Sequence, residues 1–393
     1  MFEALKAENV RKIKAYNVGE NDGYVSFYPR FIQLEHTTFC NADCVMCNHF
    51  FLGNKGAKHL SEEIVRLLEP VFPHCQMMML NGDGEPFLHP ELPAFLERYT
   101  RYGIRLSTNT NLCGCSADRL CALAAYFDYL NVSCDGATKE TFEAIRKNLR
   151  FPQFLENLRA LRAALPHKRL HLDCVLMAHN LRELPQLVAF AAEYGFSSVQ
   201  LNLMEPNPLI GNFADSILNY PQAASYYLSQ ARDRAQALRL PLQAPLYLIE
   251  KTDASALAAE LEALGRLDAA AVFEQRYVRT RELKNSRSLG DDHLSVRAGE
   301  YALSKAAVSA GRPCSWALER CYIDVEGNVS TCCFNVHHYM GNLREEGSFE
   351  AVWNGENYRR LRVEMAKGRL PVWCRDCRWF NGVCGKREKG ADI

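Results

Sequence analysis

The chain has 393 residues, 46 basic and 46 acidic side chains and 48% hydrophobic composition, enough to bury one large domain and a smaller one. Balanced charge excludes a bulk electrostatic drive towards nucleic acid or an acidic membrane, and no apolar run approaches the roughly eighteen residues that span a bilayer. Sixteen cysteines behind an N-terminus with no apolar signal core point to a reducing, cytoplasmic setting and to metal ligation rather than disulfides.

Residues 1–30 read as an N-terminal helical segment. Residues 31–35 read as a first β-strand, and from there to residue 206 short β-rich runs alternate with helical patterns, which argues for βα units and a parallel sheet. Further strands are expected at 76–80, 104–108, 129–133, 170–176 and 198–203. Between the first two, Ser61 stands as an N-cap ahead of Glu62 and Glu63, and Ile64, Leu67, Leu68 and Val71 form an apolar stripe. In parallel α/β folds ligands gather at the carboxyl ends of the strands, so those ends are where function should be read.

The first strand runs into Phe39-Cys40-Asn41-Ala42-Asp43-Cys44-Val45-Met46-Cys47, a C-x3-C-x2-C spacing. Three thiolates this close can hold three corners of an iron–sulfur cube and leave the fourth iron open to a small molecule. A zinc knot needs a fourth ligand, and Asn48 or His49 lies at no familiar zinc spacing. At these residues the chain resembles the radical S-adenosylmethionine (SAM) superfamily, whose mark is the same loop after a first strand. The resemblance implies an α/β fold with a partial (β/α)6 TIM-like barrel over residues 31–206. It also implies a [4Fe–4S] cluster on Cys40, Cys44 and Cys47 that chelates SAM and, when reduced, generates a 5′-deoxyadenosyl radical. Phe39 and Met46 suit an apolar sleeve around that cluster.

Later strand ends extend the resemblance. Asn81-Gly82-Asp83-Gly84-Glu85-Pro86 is similar to the family's Gly-Gly-Glu-Pro motif with Asp83 inserted, and the family uses this stretch for the SAM amino group. Ser107-Thr108-Asn109 and Ser133-Cys134-Asp135-Gly136 resemble stretches that end the next two strands. They imply SAM contacts from Ser107, Asn109, Ser133 and Asp135. Arg146 falls where relatives carry an arginine on the following helix, there able to pair with the SAM carboxylate; as a residue type it is equally a surface arginine. Asn180 and Glu183 fit the family's Asn-x-x-Glu pattern, with Asn180 either on ribose or capping a helix. Leu203 and Met204 either floor the adenine site or pack the core.

Residues 207–310 match nothing recognisable and read as a helical insertion that covers the substrate. A helix is expected at 220–238, a last strand at 241–248 and a helix at 253–271. The run from Arg276 to Arg287 carries five basic residues against one acid. It reads either as an anion site, suiting a phosphorylated or carboxylated small-molecule substrate, or as a solvated face.

Seven cysteines lie beyond residue 313. Cys314, Gly327 and Cys332 form C-x12-G-x4-C, with a hairpin expected at Glu326-Gly327-Asn328. Met340-Gly341-Asn342-Leu343, Trp353 and Cys374-Arg375-Asp376-Cys377 follow. Together they resemble the SPASM/twitch extension of some radical SAM enzymes over residues 311–393. That implies an auxiliary [4Fe–4S] cluster on Cys314, Cys332, Cys374 and Cys377. Cys321, Cys333 or Cys384 could replace one of the four, and Glu388 stands where a complete second auxiliary cluster would need cysteine.

An auxiliary cluster suggests an electron acceptor. The expectation is a radical SAM oxidoreductase that dehydrogenates a sugar- or cyclitol-like small molecule, primed by a one-electron donor such as flavodoxin or ferredoxin. The alternatives are modification of a ribosomal peptide, radical epimerisation with a cysteine such as Cys134 returning the hydrogen atom, and a non-catalytic iron–sulfur sensor. Neither membrane nor nucleic acid is expected as a partner, and no side chain is singled out as a general base.

Overall fold

The computed structural model describes residues 2–16, 22–47, 49, 54, 56–204, 212–245, 253–267, 303–304, 314, 316–333, 338–367, 369–371 and 374. In chain order these carry α1 (Phe2–Ala15), β1 (Phe31–Leu34), β2 (Asp43–Cys44), α2 (Glu62–Leu68), β3 (Met77–Met79), α3 (Leu92–Arg101), β4 (Arg105–Thr110) and α4 (Ala117–Ala124). Next come β5 (Tyr129–Ser133), α5 (Lys139–Ile145), β6 (Arg146–Lys147), α6 (Phe151–Ala164), β7 (Arg169–Leu176), α7 (Leu184–Glu193), β8 (Ser198–Leu203) and α8 (Pro221–Leu238). The remainder are β9 (Leu242–Gln243), α9 (Ala254–Gly265), β10 (Leu303–Ser304), α10 (Trp316–Glu319), β11 (Arg320–Ile323), β12 (Asn328–Ser330), β13 (Tyr339–Asn342), α11 (Leu343–Glu346), α12 (Phe349–Trp353), α13 (Glu356–Ala366) and β14 (Leu370–Pro371). All six strands expected between residues 31 and 203 are present.

The chain folds as two compact units that cut across its linear order. The first comprises residues 1–38, 58–107 and 289–393. Its strands run β13-β12-β11-β1-β3-β4. β1 pairs parallel with β3 on one side and with β11 on the other, Ile32 opposite both Met78 and Cys321. The hairpin of the C-terminal extension thus continues the sheet begun by the first strand. Ile32, Leu34, Met78, Leu80, Cys321 and Ile323 are buried along these strands. Trp353 is fully buried, donates its Nε1–H to the Phe27 carbonyl at 3.0 Å, and carries the Arg362 guanidinium 4.4 Å over its ring. Ser61 caps α2 as expected, accepting from the Ile64 amide. The stripe breaks earlier than expected: α2 stops at Leu68 and residues 69–74 tighten into a 3-10 turn containing Pro70 and Pro73, which still buries Val71. Proline lacks the amide that an α-helix would need there.

The second unit comprises residues 39–57 and 108–288. β5, β7, β8 and β9 form a parallel run, with Ser133 opposite Asp173 and Asp173 opposite Gln200. Burial alternates along β7: Leu170, Leu172, Cys174 and Leu176 are enclosed, while His171, Asp173 and Val175 face the other way, half-buried. Of the strand expected at 241–248 the described residues show β9, and of the helix expected at 253–271 they show α9; residues 246–248 and 268–271 lie outside them. The basic run at 276–287 lies outside the described residues, as do Cys377 and Cys384.

Candidate functional site

In the second unit the cysteine loop is held by backbone pairing and by asparagine side chains. β2 pairs antiparallel with β6, placing Cys44 opposite Arg146 and Asp43 opposite Lys147. The Val45 amide donates to the Ile145 carbonyl at 3.0 Å, and the Cys47 amide turns back to the Cys44 carbonyl at 3.0 Å. Asn54 accepts from the Cys40 amide at 3.0 Å and donates to the Cys40 carbonyl at 2.8 Å. Asn41 donates to the Cys113 carbonyl at 2.8 Å and accepts from Asn111 at 2.9 Å. His49, near enough in sequence to be considered as a ligand, is buried and contacts Asn54 Oδ1 at 3.0 Å.

Val45, Ala144, Ile145, Met177 and Met204 form an apolar cluster against which Met46 and Val175 pack. Met46 therefore lies in the sleeve expected of it. Phe39 does not share that cluster and is 38% exposed. Met204 packs core; Leu203 is half-buried. Cys44 is buried, Cys40 and Cys47 half-buried. Burial pushes the Cys44 thiol up, against a downward pull from Arg146. The donor set fits a cube: each thiolate takes its own iron. Among the described residues no three Cys, His, Asp or Glu side chains close on a single ion.

Arg146 is not on the helix as expected but caps its end and continues into β6. Its Nη2 lies 2.8 Å from Asp135 Oδ2 and its Nη1 3.7 Å from Cys44 Sγ. Asp135 is fully buried and accepts from the Val175 amide at 2.7 Å. Burial pushes its carboxyl up more than Arg146 pulls it down. Asn180 donates to the carbonyls of Val175 at 2.8 Å and Asp135 at 3.1 Å, and accepts from the Met177 amide at 2.9 Å. Glu183 accepts from the amides of Ala137 and Thr138 and from the hydroxyls of Thr138 and Thr141, bracing the start of α5. Asp135, Asn180 and Glu183 are thus committed to protein partners.

The face of β5, β7 and β8 opposite the enclosed leucines is polar. Asn131 donates to Asn109 Oδ1 at 2.8 Å, His171 Nδ1 lies 2.7 Å from Ser198 Oγ, and Gln200 donates to Asn202 at 2.9 Å. Ser133 and Asp173 share this face, and Val175, one step along, touches the sleeve of the cysteine loop. Among the described residues the shielded Asp173 Oδ1 finds no hydrogen-bond donor. Burial, chiefly, pushes its carboxyl up to about 7. Sequence reasoning missed Asp173; its signal was a carboxylate in a strand's alternating set, indistinguishable there from a solvated one.

In the first unit, residues 82–85 are anchored from below. The Asp83 amide donates to Glu35 Oε1 at 2.7 Å, and a Cβ on Gly82 would lie 2.1 Å from that same oxygen. Glu35 Oε2 accepts from the Val325 amide at 3.3 Å, in the hairpin between β11 and β12. Burial first, then the Asp83 charge, pushes the Glu35 carboxyl up to about 8. Glu85 is buried and caps the turn of Pro86–Leu88; Gly84 is half-buried and Ser107 buried. In the extension, Cys314, Cys332, Cys333 and Cys374 are half-buried. Cys321 is fully buried on β11, and burial pushes its thiol well up with Cys75 acting in the same direction. It therefore packs core. Cys134 is likewise enclosed, its thiol pushed up to about 12 by burial.

The family model of the radical SAM superfamily matches residues 34–191, and that of the SPASM iron–sulfur cluster-binding domain matches residues 314–378. The chain belongs to the radical SAM superfamily and carries a C-terminal SPASM domain. The radical SAM domain implies a [4Fe–4S] cluster and SAM, and the SPASM domain implies auxiliary iron–sulfur ligation. The mycofactocin maturase MftC of Mycobacterium tuberculosis is 24% identical over 369 residues, covering 91% of this chain and 78% of its own. An AdoMet-dependent heme synthase of Methanosarcina barkeri is 24% identical over 370 residues, covering 89% of this radical SAM protein and 91% of its own length. The same fold occurs in anSMEcpe with bound AdoMet (TM-score 0.56, 16% identity, 91% and 85% of the two chains). It also occurs in Streptococcus suis SuiB bound to the precursor peptide SuiA (TM-score 0.55, 14% identity, 91% and 70%). No helix among the described residues is long and apolar enough to cross a membrane.

Proposed function

We propose that this radical SAM protein modifies a peptide, removing hydrogen from an unactivated C–H bond and passing the second electron to its auxiliary cluster. The observation that carries this reading is the alignment of nearly the whole chain, both domains included, with a maturase; a structure of the same fold, SuiB, holds the precursor peptide SuiA. These likenesses favour a peptide over the sugar or cyclitol expected from the sequence. When bound, SAM on the reduced cluster supplies the radical that takes the hydrogen atom.

Within this reading Cys40, Cys44 and Cys47 hold the SAM-binding cluster, and Cys314, Cys332, Cys374 and Cys377 the auxiliary one. Residues 82–85 take the SAM amino group. Asp173 receives the substrate proton on its carboxylate: it stands on the polar face next to the sleeve of the cysteine loop, with a carboxyl pushed up to about 7. The priming electron comes from a low-potential one-electron donor of the flavodoxin or ferredoxin kind.

The test is anaerobic turnover of the cluster-loaded protein with SAM, dithionite and short peptides encoded beside its gene, read by mass spectrometry. A peptide that loses two hydrogens per 5′-deoxyadenosine is expected. Unchanged peptides alongside a sugar alcohol oxidised with the same stoichiometry would return the reading to the small-molecule oxidation.

A further inference from the structure

Arg146 occupies a position that a contact with SAM does not require. It sits where β6 crosses the cysteine loop, almost wholly enclosed, with Nη1 3.7 Å from Cys44 Sγ and Nη2 2.8 Å from Asp135 Oδ2. Asp135 in turn is fixed by the Val175 amide at 2.7 Å, and its carbonyl by Asn180 at 3.1 Å. A buried cation is thus held against a cluster thiolate by a buried anion that cannot swing away.

We propose that the Asp135–Arg146 pair sets the reduction potential of the cluster on Cys40, Cys44 and Cys47, through a charge-assisted N–H···S bond from Arg146 to Cys44. The inference goes beyond the choice of substrate and rests only on the assignment of those three cysteines. The step it governs is the arrival of one electron from an external low-potential donor; no bond forms or breaks. That electron adds negative charge to the cluster and its thiolates. A hydrogen-bond donor or cation beside them favours the reduced state and raises the potential, and a carboxylate opposes it. The dry surroundings of Val45, Ile145, Met177 and Met204 leave the two charges poorly screened. Arg146 is therefore a positioning and tuning residue, not a catalytic one.

The test is an EPR-monitored redox titration of the full-length, cluster-loaded protein. The signal that changes on adding SAM identifies the cluster with the open iron and separates it from the auxiliary one. Arg146→Gln is expected to lower the midpoint so that the reduced-to-oxidised ratio at a fixed potential falls about tenfold, about 59 mV for one electron. Asp135→Asn is expected to raise it by a similar factor, and Arg146→Lys to fall between wild type and Arg146→Gln. A merely structural role would lower iron content or move both variants the same way. Midpoints unchanged in Arg146→Gln and Asp135→Asn at wild-type iron content overturn the proposal. Should Arg146→Gln fail to load a cluster, Asp135→Asn decides alone, and its unchanged midpoint is the overturning result. A wild-type protein without any SAM-sensitive signal sinks the cysteine assignment, and this inference with it, while leaving the peptide reading to its own assay.

Discussion

A glycine and a glutamate show how one side chain dictates another. Gly82 invites explanation by ligand approach, yet the atom nearest its missing Cβ is Glu35 Oε1, at 2.1 Å. Gly82→Ala is therefore expected to cost about 1–3 kcal/mol of stability and to weaken SAM binding, with Glu35→Ala in the same chain restoring part of both; calorimetric SAM titration and thermal melts read the pair. Glu35 also carries a pH signature. Its folded carboxyl titrates at about 8, above the roughly 4.3 of an unfolded glutamate. The folded state thus holds the proton more tightly. Its contribution is full below about pH 4.3 and is lost as the pH climbs to about 8. Glu35→Gln should flatten that part of the melting-temperature profile; an unaltered slope would mean that another group titrates. Asp173→Asn keeps shape and loses the proton acceptor. Product formation should fall by about 10²-fold or more while iron content and the melting temperature stay at wild type.

Among the elements, those with a regular pattern were legible and the short ones were not. Alternation from Tyr129 to Ser133 and from Leu170 to Leu176 marked strands because one face is buried. β2 and β6 span two residues each, too short for any periodicity, yet they bring Arg146 to Cys44. Spacing made the cysteine loop readable because Cys40, Cys44 and Cys47 sit together in one short loop, whereas Asp135 and Arg146 are joined only by the fold. Motif resemblance implied a SAM contact for Asp135 and, for Asn180, either ribose or a helix cap; in the fold both side chains also brace the strand ends. Asn180→Ala would strip partners from the Val175 and Asp135 carbonyls and from the Met177 amide. A loss of about 1–3 kcal/mol is expected, measured by denaturant unfolding and larger than for Ser61→Ala, a single cap worth about 1 kcal/mol.

At the scale of the whole molecule, the linear division into core and extension does not describe the packing. The extension reads from sequence as an appended module because its cysteines are spaced as one. β11 nevertheless pairs residue for residue with β1, so the radical SAM sheet and the SPASM hairpin share a hydrogen-bonded ladder. Ending the chain at residue 310 would strip one side of β1, leaving a bare apolar strand edge; such a truncation is expected to appear in the insoluble fraction on expression. The same pairing has a consequence in time. Phe31 must wait for Arg320, and at about 5–20 residues per second a ribosome takes roughly a quarter of a minute to a minute to deliver it. Throughout that interval the first strand can pair with β3 on one side only, so its other edge stays an open template for wrong pairing until the C-terminal hairpin emerges.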